Sequence, residues 1–138
     1  MKLKFRVKIN HIGIATSNYK QTAAFYLALG YRKTIGGYDQ NQNVYGYFYE
    51  AVGMPTIELL SPFDENSPIN KVLEKNGVIP YHLCYELIDI ELDDAIKNLR
   101  ENKFVLISQP TISISLGNRR VCFLFHKDVG IIELLEHE

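Results

Sequence analysis

The chain has 138 residues, enough for one compact domain with a real core and too few for two independent ones. Hydrophobic residues make up 46% of it and charged residues 22%, and 15 basic against 16 acidic side chains leave a formal net charge of −1. That balance excludes a disordered chain and offers no basic face for nucleic acid. No stretch approaches about 18 apolar residues, so no membrane span is expected. Residues 1–8 alternate Lys and Arg with Leu, Phe and Val, and read as a first strand rather than a signal peptide. Cys84 and Cys122 lie in strand-like runs without C-x-x-C spacing. Neither a disulfide scaffold nor a zinc cluster is expected, and a reducing cytoplasm is the expected setting.

The chain repeats itself. A run with a histidine, Asn10-His11-Ile12-Gly13-Ile14, leads after 47 positions to Glu58 in Ile57-Glu58-Leu59-Leu60, and Tyr81-His82-Leu83-Cys84-Tyr85 leads after 51 to Glu133 in Ile132-Glu133-Leu134-Leu135. In the first half Ser17 or Asn18 caps a helix to about Leu29, Gly30 stops it, and 31–35, 44–50 and 56–60 read as strands. Residues 61–66 form a loop, and 67–75 a connector helix with Pro68 in its first turn, stopped by Asn76 and Gly77. The second half offers a strand at 80–87, Asp89 as the counterpart of Asn18, a helix at 90–101, and strands at 105–108, 120–126 and 131–135. Segment 109–118 alternates as an edge strand does, or forms a wall of a binding cleft. The predicted fold class is α+β, one domain over 1–138. It is built from two tandem βαβββ modules, at about 7–60 and 79–136, joined by a helix at about 67–76.

Side chains of a strand alternate between faces. One face carries Ile12, Ile14, Ile57, Leu59, Leu83, Tyr85, Ile132 and Leu134 and suits packing under the helices. The other carries His11, Glu58, His82 and Glu133, each flanked by apolar neighbours. Burying a carboxylate without compensation costs several kcal/mol or more, and a divalent cation supplies that compensation. Two imidazoles and two carboxylates suit Zn, Ni, Co, Mn or Fe, with positions left for water or substrate. His126 reads as a turn residue and His137 as part of the tail.

These residues resemble the vicinal-oxygen-chelate superfamily, which includes glyoxalase I, methylmalonyl-CoA epimerase, extradiol dioxygenases and bleomycin- and fosfomycin-resistance proteins. The resemblance spans nearly the whole chain and is nearest to the epimerase and glyoxalase-like branch, which shares the Ser67-Pro68-Ile69 connector and the aromatic-His pair Tyr81-His82. It implies a curved, mixed sheet around a cleft with helices outside, a homodimer, and metal ligands at His11, Glu58, His82 and Glu133. Two departures stand out. Epimerases commonly carry Gln at the position of Glu58, and they place a further Glu on the third strand, which here reads Val44-Tyr45-Gly46-Tyr47-Phe48-Tyr49 with Glu50 at its end.

The resemblance implies a metal-dependent isomerase or lyase, of glyoxalase or methylmalonyl-CoA epimerase type, moving a proton next to a carbonyl of an acyl-CoA or a thiol adduct of an oxoaldehyde. Glu133 is the expected base, with Glu58 the other catalytic carboxylate. Tyr45 and Tyr47 are candidate hydrogen-bond donors to substrate, and Arg119 and Lys127 candidate partners of a phosphate or carboxylate. A metal-independent protein that binds a small molecule is the alternative, and an extradiol-type dioxygenase a more remote one.

Overall fold

The order of strand, helix and three strands is realised in the first half of the computed structural model, which describes residues 1–138, and recurs in the second half with one further short strand at Thr111–Ser113. The first half comprises β1 (Val7–Ala15), α1 (Tyr19–Ala28), β2 (Arg32–Asp39), β3 (Val44–Glu50) and β4 (Ile57–Pro62), and α2 (Ile69–Asn76) follows. The second comprises β5 (Ile79–Leu87), α3 (Leu92–Glu101), β6 (Val105–Leu106), β7 (Thr111–Ser113), a 3₁₀ turn at Ile114–Leu116, β8 (Arg119–His126) and β9 (Gly130–Leu135). The nine strands belong to one mixed, open sheet. Two compact units divide the chain, one of His11–Tyr81 and one of Met1–Asn10 with His82–Glu138. No helix is long and apolar enough to cross a membrane.

In the His11–Tyr81 unit β1 runs parallel to β4, with Gly13 opposite Glu58, and β3 runs antiparallel to β4, with Phe48 opposite Glu58. Ile14, Ile57, Leu59 and Tyr49 form a core with Ala23 of α1 and with Tyr31. On the opposite face Ala15, Val44 and Leu60 pack against Ile69 of α2. The other unit uses the same register: β5 runs parallel to β9 with Cys84 opposite Glu133, and β8 antiparallel to β9 with Phe123 opposite Glu133. Ile132, Leu134, Cys122 and Leu124 pack under Leu92, Ala95, Ile96 and Leu99 of α3, so the expected apolar faces are indeed those covered by helices. Cys84, Val121 and Leu135 cluster on the other face, against Leu116.

Several expectations need correction. Residues 1–6 are not a strand. Their backbone is held by side-chain amides instead: the Lys4 amide donates to Asn98 Oδ1 at 2.9 Å and the Lys2 amide to Asn102 Oδ1 at 3.1 Å. Asn18 caps α1, its side chain accepting from the Gln21 amide at 3.3 Å. Its counterpart Asp89 does not cap α3, because the Arg6 guanidinium holds it at 3.1 Å; Glu91 takes the cap position without a side-chain bond to the helix. β2 continues to Asp39 past a bulge between Lys33 and Gly36. β6 stops at Leu106, where the Phe123 amide donates to Ser108 Oγ at 2.8 Å in place of a ladder bond.

Leu99 is 2% exposed under α3, whereas Leu27 on α1 is 52% exposed. Leu99→Ala is expected to destabilise by about 2–5 kcal/mol in urea unfolding and Leu27→Ala by less than about 0.5 kcal/mol.

Candidate functional site

In a parallel strand pair, residues on one face two positions out of register still lie within side-chain reach. Glu58 is opposite Gly13, two residues beyond His11, and Glu133 is opposite Cys84, two residues beyond His82. Each unit therefore brings one imidazole to one carboxylate. His11 Nε2 lies 3.3 Å from Glu58 Oε1, and His82 Nε2 lies 3.3 Å from Glu133 Oε1. Both histidines and Glu133 are buried, while the Glu58 side chain keeps 16% of its surface exposed.

A separation of 3.3 Å is long for a charge-assisted hydrogen bond, which runs at about 2.7–2.9 Å. It matches two donors sharing one ion: bonds of about 2.0–2.2 Å, opened by about 90–110°, place the donor atoms roughly 3.0–3.5 Å apart. Within each unit the nitrogen and the oxygen are spaced as ligands of a common cation would be. Each unit thus offers one imidazole and one carboxylate, His11 with Glu58 and His82 with Glu133, residue types that fit a metal ion: imidazole nitrogen suits a borderline ion and a carboxylate balances its charge.

Sequence reasoning missed two residues that orient the histidines. Phe48 meets the His11 ring edge-on, with centroids 4.9 Å apart and planes at 87°, and Phe123 meets His82 in the same way at 5.1 Å and 86°. An edge-to-face contact fixes the imidazole plane by packing. The offset between Phe48 and Phe123 is 75, the offset that superposes Glu58 on Glu133. Aligning the halves on their glutamates would have found the pair.

The other expected site residues are engaged with partners of their own. Tyr45 and Tyr47 alternate with Gly46 and Phe48, so they occupy the face of β3 opposite that of the Glu58 side chain. Tyr45 packs with Phe63 at 5.4 Å, and Tyr47 stacks on Tyr19 at 5.2 Å with Lys33 Nζ 4.0 Å from its ring centroid. The Tyr49 hydroxyl bonds that of Tyr19, which burial and then this partner push well above the usual tyrosine range. Glu50 is exposed and paired with Arg32 at 3.6 Å. Arg119 meets Glu86 at 3.3 Å and donates to the carbonyls of Leu116 and Glu136. Lys127 is exposed beside Asp128 at 3.0 Å. His126 Nδ1 accepts from the Asp128 amide at 3.1 Å, a turn role as expected, and His137 pairs with Glu91 at 2.7 Å.

Glu86, itself buried, is held by Arg119, by the exposed Lys8 and by the partly buried Asn10. Burial pushes its carboxyl upward, but these three donors outweigh burial and hold it below the ordinary value of 4.5. A carboxylate lowered by folding stabilises the native state fully above its unfolded value and loses that contribution as pH falls through the folded one. Urea midpoints of the wild type are therefore expected to fall on acidification below about pH 4.5, and those of Glu86→Gln to fall less steeply there. Burial, and then the Glu133 charge, push the Cys122 thiol up to about 12, and Cys84 is fully buried as well. Neither thiol is expected to react with a thiol-specific disulfide reagent in the native protein, and both are expected to react after denaturation.

Comparison with known proteins points one way. A sequence-family model described as the glyoxalase/bleomycin resistance protein/dioxygenase superfamily matches residues 10–123. The mitochondrial methylmalonyl-CoA epimerase of Dictyostelium discoideum is 36% identical over 140 residues, covering 95% of this chain and 78% of that protein. The crystal structure of methylmalonyl-CoA epimerase from Mycobacterium tuberculosis superposes with a TM-score of 0.83 at 26% identity, covering 100% of this chain and 93% of the other. A methylmalonyl-CoA epimerase in complex with methylmalonyl-CoA and NH4+ superposes with a TM-score of 0.78 at 26% identity, covering 95% and 94%.

Proposed function

The chain belongs to the glyoxalase/bleomycin resistance protein/dioxygenase superfamily, in its methylmalonyl-CoA epimerase branch, and from that premise we propose that it is a metal-dependent epimerase of a short-chain acyl-CoA bearing an acidic α-carbon. The observation that carries this reading is the duplicated His–Glu pair, with the same register and the same 3.3 Å spacing in both units. His11, Glu58, His82 and Glu133 are the proposed ligands of one divalent ion. Such an ion supplies positive charge beside a thioester carbonyl, which eases loss of the proton from the adjacent carbon.

The chain's own residues do the rest. The imidazoles of His11 and His82, held edge-on by Phe48 and Phe123, present fixed nitrogens. Glu133 takes the α-proton: the C–H bond breaks and its electron pair delocalises toward the carbonyl. Glu58, the more exposed of the two carboxyl groups, enters the step protonated from solvent and gives that proton to the other face of the carbon, which inverts the centre; Glu133 is left protonated, and proton exchange with water resets both groups. Methylmalonyl-CoA is the proposed first substrate, because relatives that match nearly the whole chain carry that activity in their names. The two carboxylates fill the acid and base roles without Glu50, which is engaged by Arg32.

Elemental analysis of untagged protein purified without chelators is expected to give about one transition metal per chain, and His82→Ala to lose it while keeping its fold by circular dichroism. The loaded wild type is expected to exchange the α-hydrogen of methylmalonyl-CoA in deuterated water. Glu133→Gln with excess metal is expected to slow that exchange at least 100-fold. Wild-type metal content in His82→Ala would overturn the ligand assignment, and undiminished exchange in Glu133→Gln would overturn the role of Glu133.

A further inference from the structure

A glycine inside a strand needs a reason, because it weakens the strand and leaves nothing to pack. Gly46, in the middle of β3, has no left-handed backbone to justify it. It is buried, and it lies opposite Leu60 on the face that carries Phe48 and the Glu58 side chain. A Cβ built on Gly46 would stand 2.7 Å from Glu58 Oε2, closer than carbon and oxygen tolerate. The same carboxylate directs Oε1 at His11 Nε2. One oxygen thus faces the imidazole, and the other occupies the space above Gly46.

The second unit makes the point by contrast. The position 75 residues on from Gly46 is Val121, which lies opposite Leu135 as Gly46 lies opposite Leu60. Where the first unit leaves room, the second places a branched side chain, 2% exposed and packed with Cys84 and Leu135. The carboxylates differ to match: the Glu58 side chain is 16% exposed and that of Glu133 only 4%.

We propose that Gly46 is a positioning residue for Glu58: its missing side chain gives Oε2 its place and makes Glu58 the accessible member of an otherwise matched pair of carboxylates. The part of this inference that concerns metal rests on the function proposed above. The contact itself does not, and it can be read in metal-free protein.

The test uses Gly46→Ala, Gly46→Val, which copies the second unit, Glu58→Ala, and the double variant Gly46→Ala with Glu58→Ala. In metal-free, 15N-labelled protein the His11 ring nitrogen signals of Gly46→Ala are expected to move toward their positions in Glu58→Ala, and the His82 signals to stay within the spread given by an exposed control, Ile35→Ala. Cobalt chloride titrated against a chelator is expected to bind Gly46→Ala about 10- to 100-fold more weakly than wild type, with an altered visible spectrum, and Gly46→Val more weakly still. In the Glu58→Ala background Gly46→Ala is expected to change cobalt affinity less than twofold. Unmoved His11 signals, or an equal loss of cobalt affinity with and without the Glu58 carboxylate, would overturn the positioning role. If wild-type protein takes up no cobalt, the metal reading falls, while the His11 signals still decide the role of Gly46.

Discussion

Everything at the candidate site depends on the parallel pairing of the first and last strands of each half. That pairing sets Glu58 across from Gly13 and Glu133 across from Cys84, and so brings a carboxylate to an imidazole two residues upstream. A slip of one residue would carry each glutamate to the helix-covered face, among Leu59 or Leu134, where a charge has no compensation. The apolar cores under α1 and α3 therefore do more than stabilise the two units. By fixing which residues of β4 and β9 point toward the helices, they fix where the glutamates point.

The parts of this arrangement visible in the sequence are those governed by local period. His11, Glu58, His82 and Glu133 stand out because strand alternation places each opposite an apolar face and the repeat produces each type twice. The faces of Tyr45 and Tyr47 follow from a different quantity, the length of the turn between β3 and β4. That length sets Phe48, and not a tyrosine, opposite Glu58. No periodicity within β3 carries that information. Arg119 is a similar case: its charge suggests a ligand, but its partner Glu86 comes from another strand, and only the fold reveals the pairing. Asp89 has the right chemistry for a cap and is captured by Arg6, a competitor remote in sequence. The paired phenylalanines were hidden by loop lengths that differ between the halves by four residues, so that no single offset superposes both ends of the repeat.

The halves also differ in what supports each His–Glu pair. Behind His11 and Glu58, Ala15 and Val44 pack with Leu60 under α2. At the corresponding positions the second half has Glu86 and Arg119, an ion pair joined by Lys8. The first pair is backed by hydrocarbon, and the second by charge next to the hydrocarbon of Cys84, Val121 and Leu135, so acidity acts on them differently. Identical residues in unequal surroundings allow one carboxylate to differ from its twin in function.

The strap of residues 1–6 bears on how the molecule can be taken apart. The repeat in the sequence divides the chain near residue 79, yet the unit containing β5 to β9 includes Met1–Asn10. Its buried Asn98 amide accepts from the backbone of Lys4, and Glu86 draws on Lys8 and Asn10. A gene fragment encoding the second repeat alone would omit these partners, leaving the Glu86 carboxylate with Arg119 but without Lys8 and Asn10, and the buried Asn98 amide oxygen without the Lys4 donor. The duplication visible in the sequence is thus not a pair of detachable modules. A circular permutation that joins the C-terminus to Met1 and opens the chain near residue 11 would keep each unit's own residues contiguous, as a simple cut between the repeats does not.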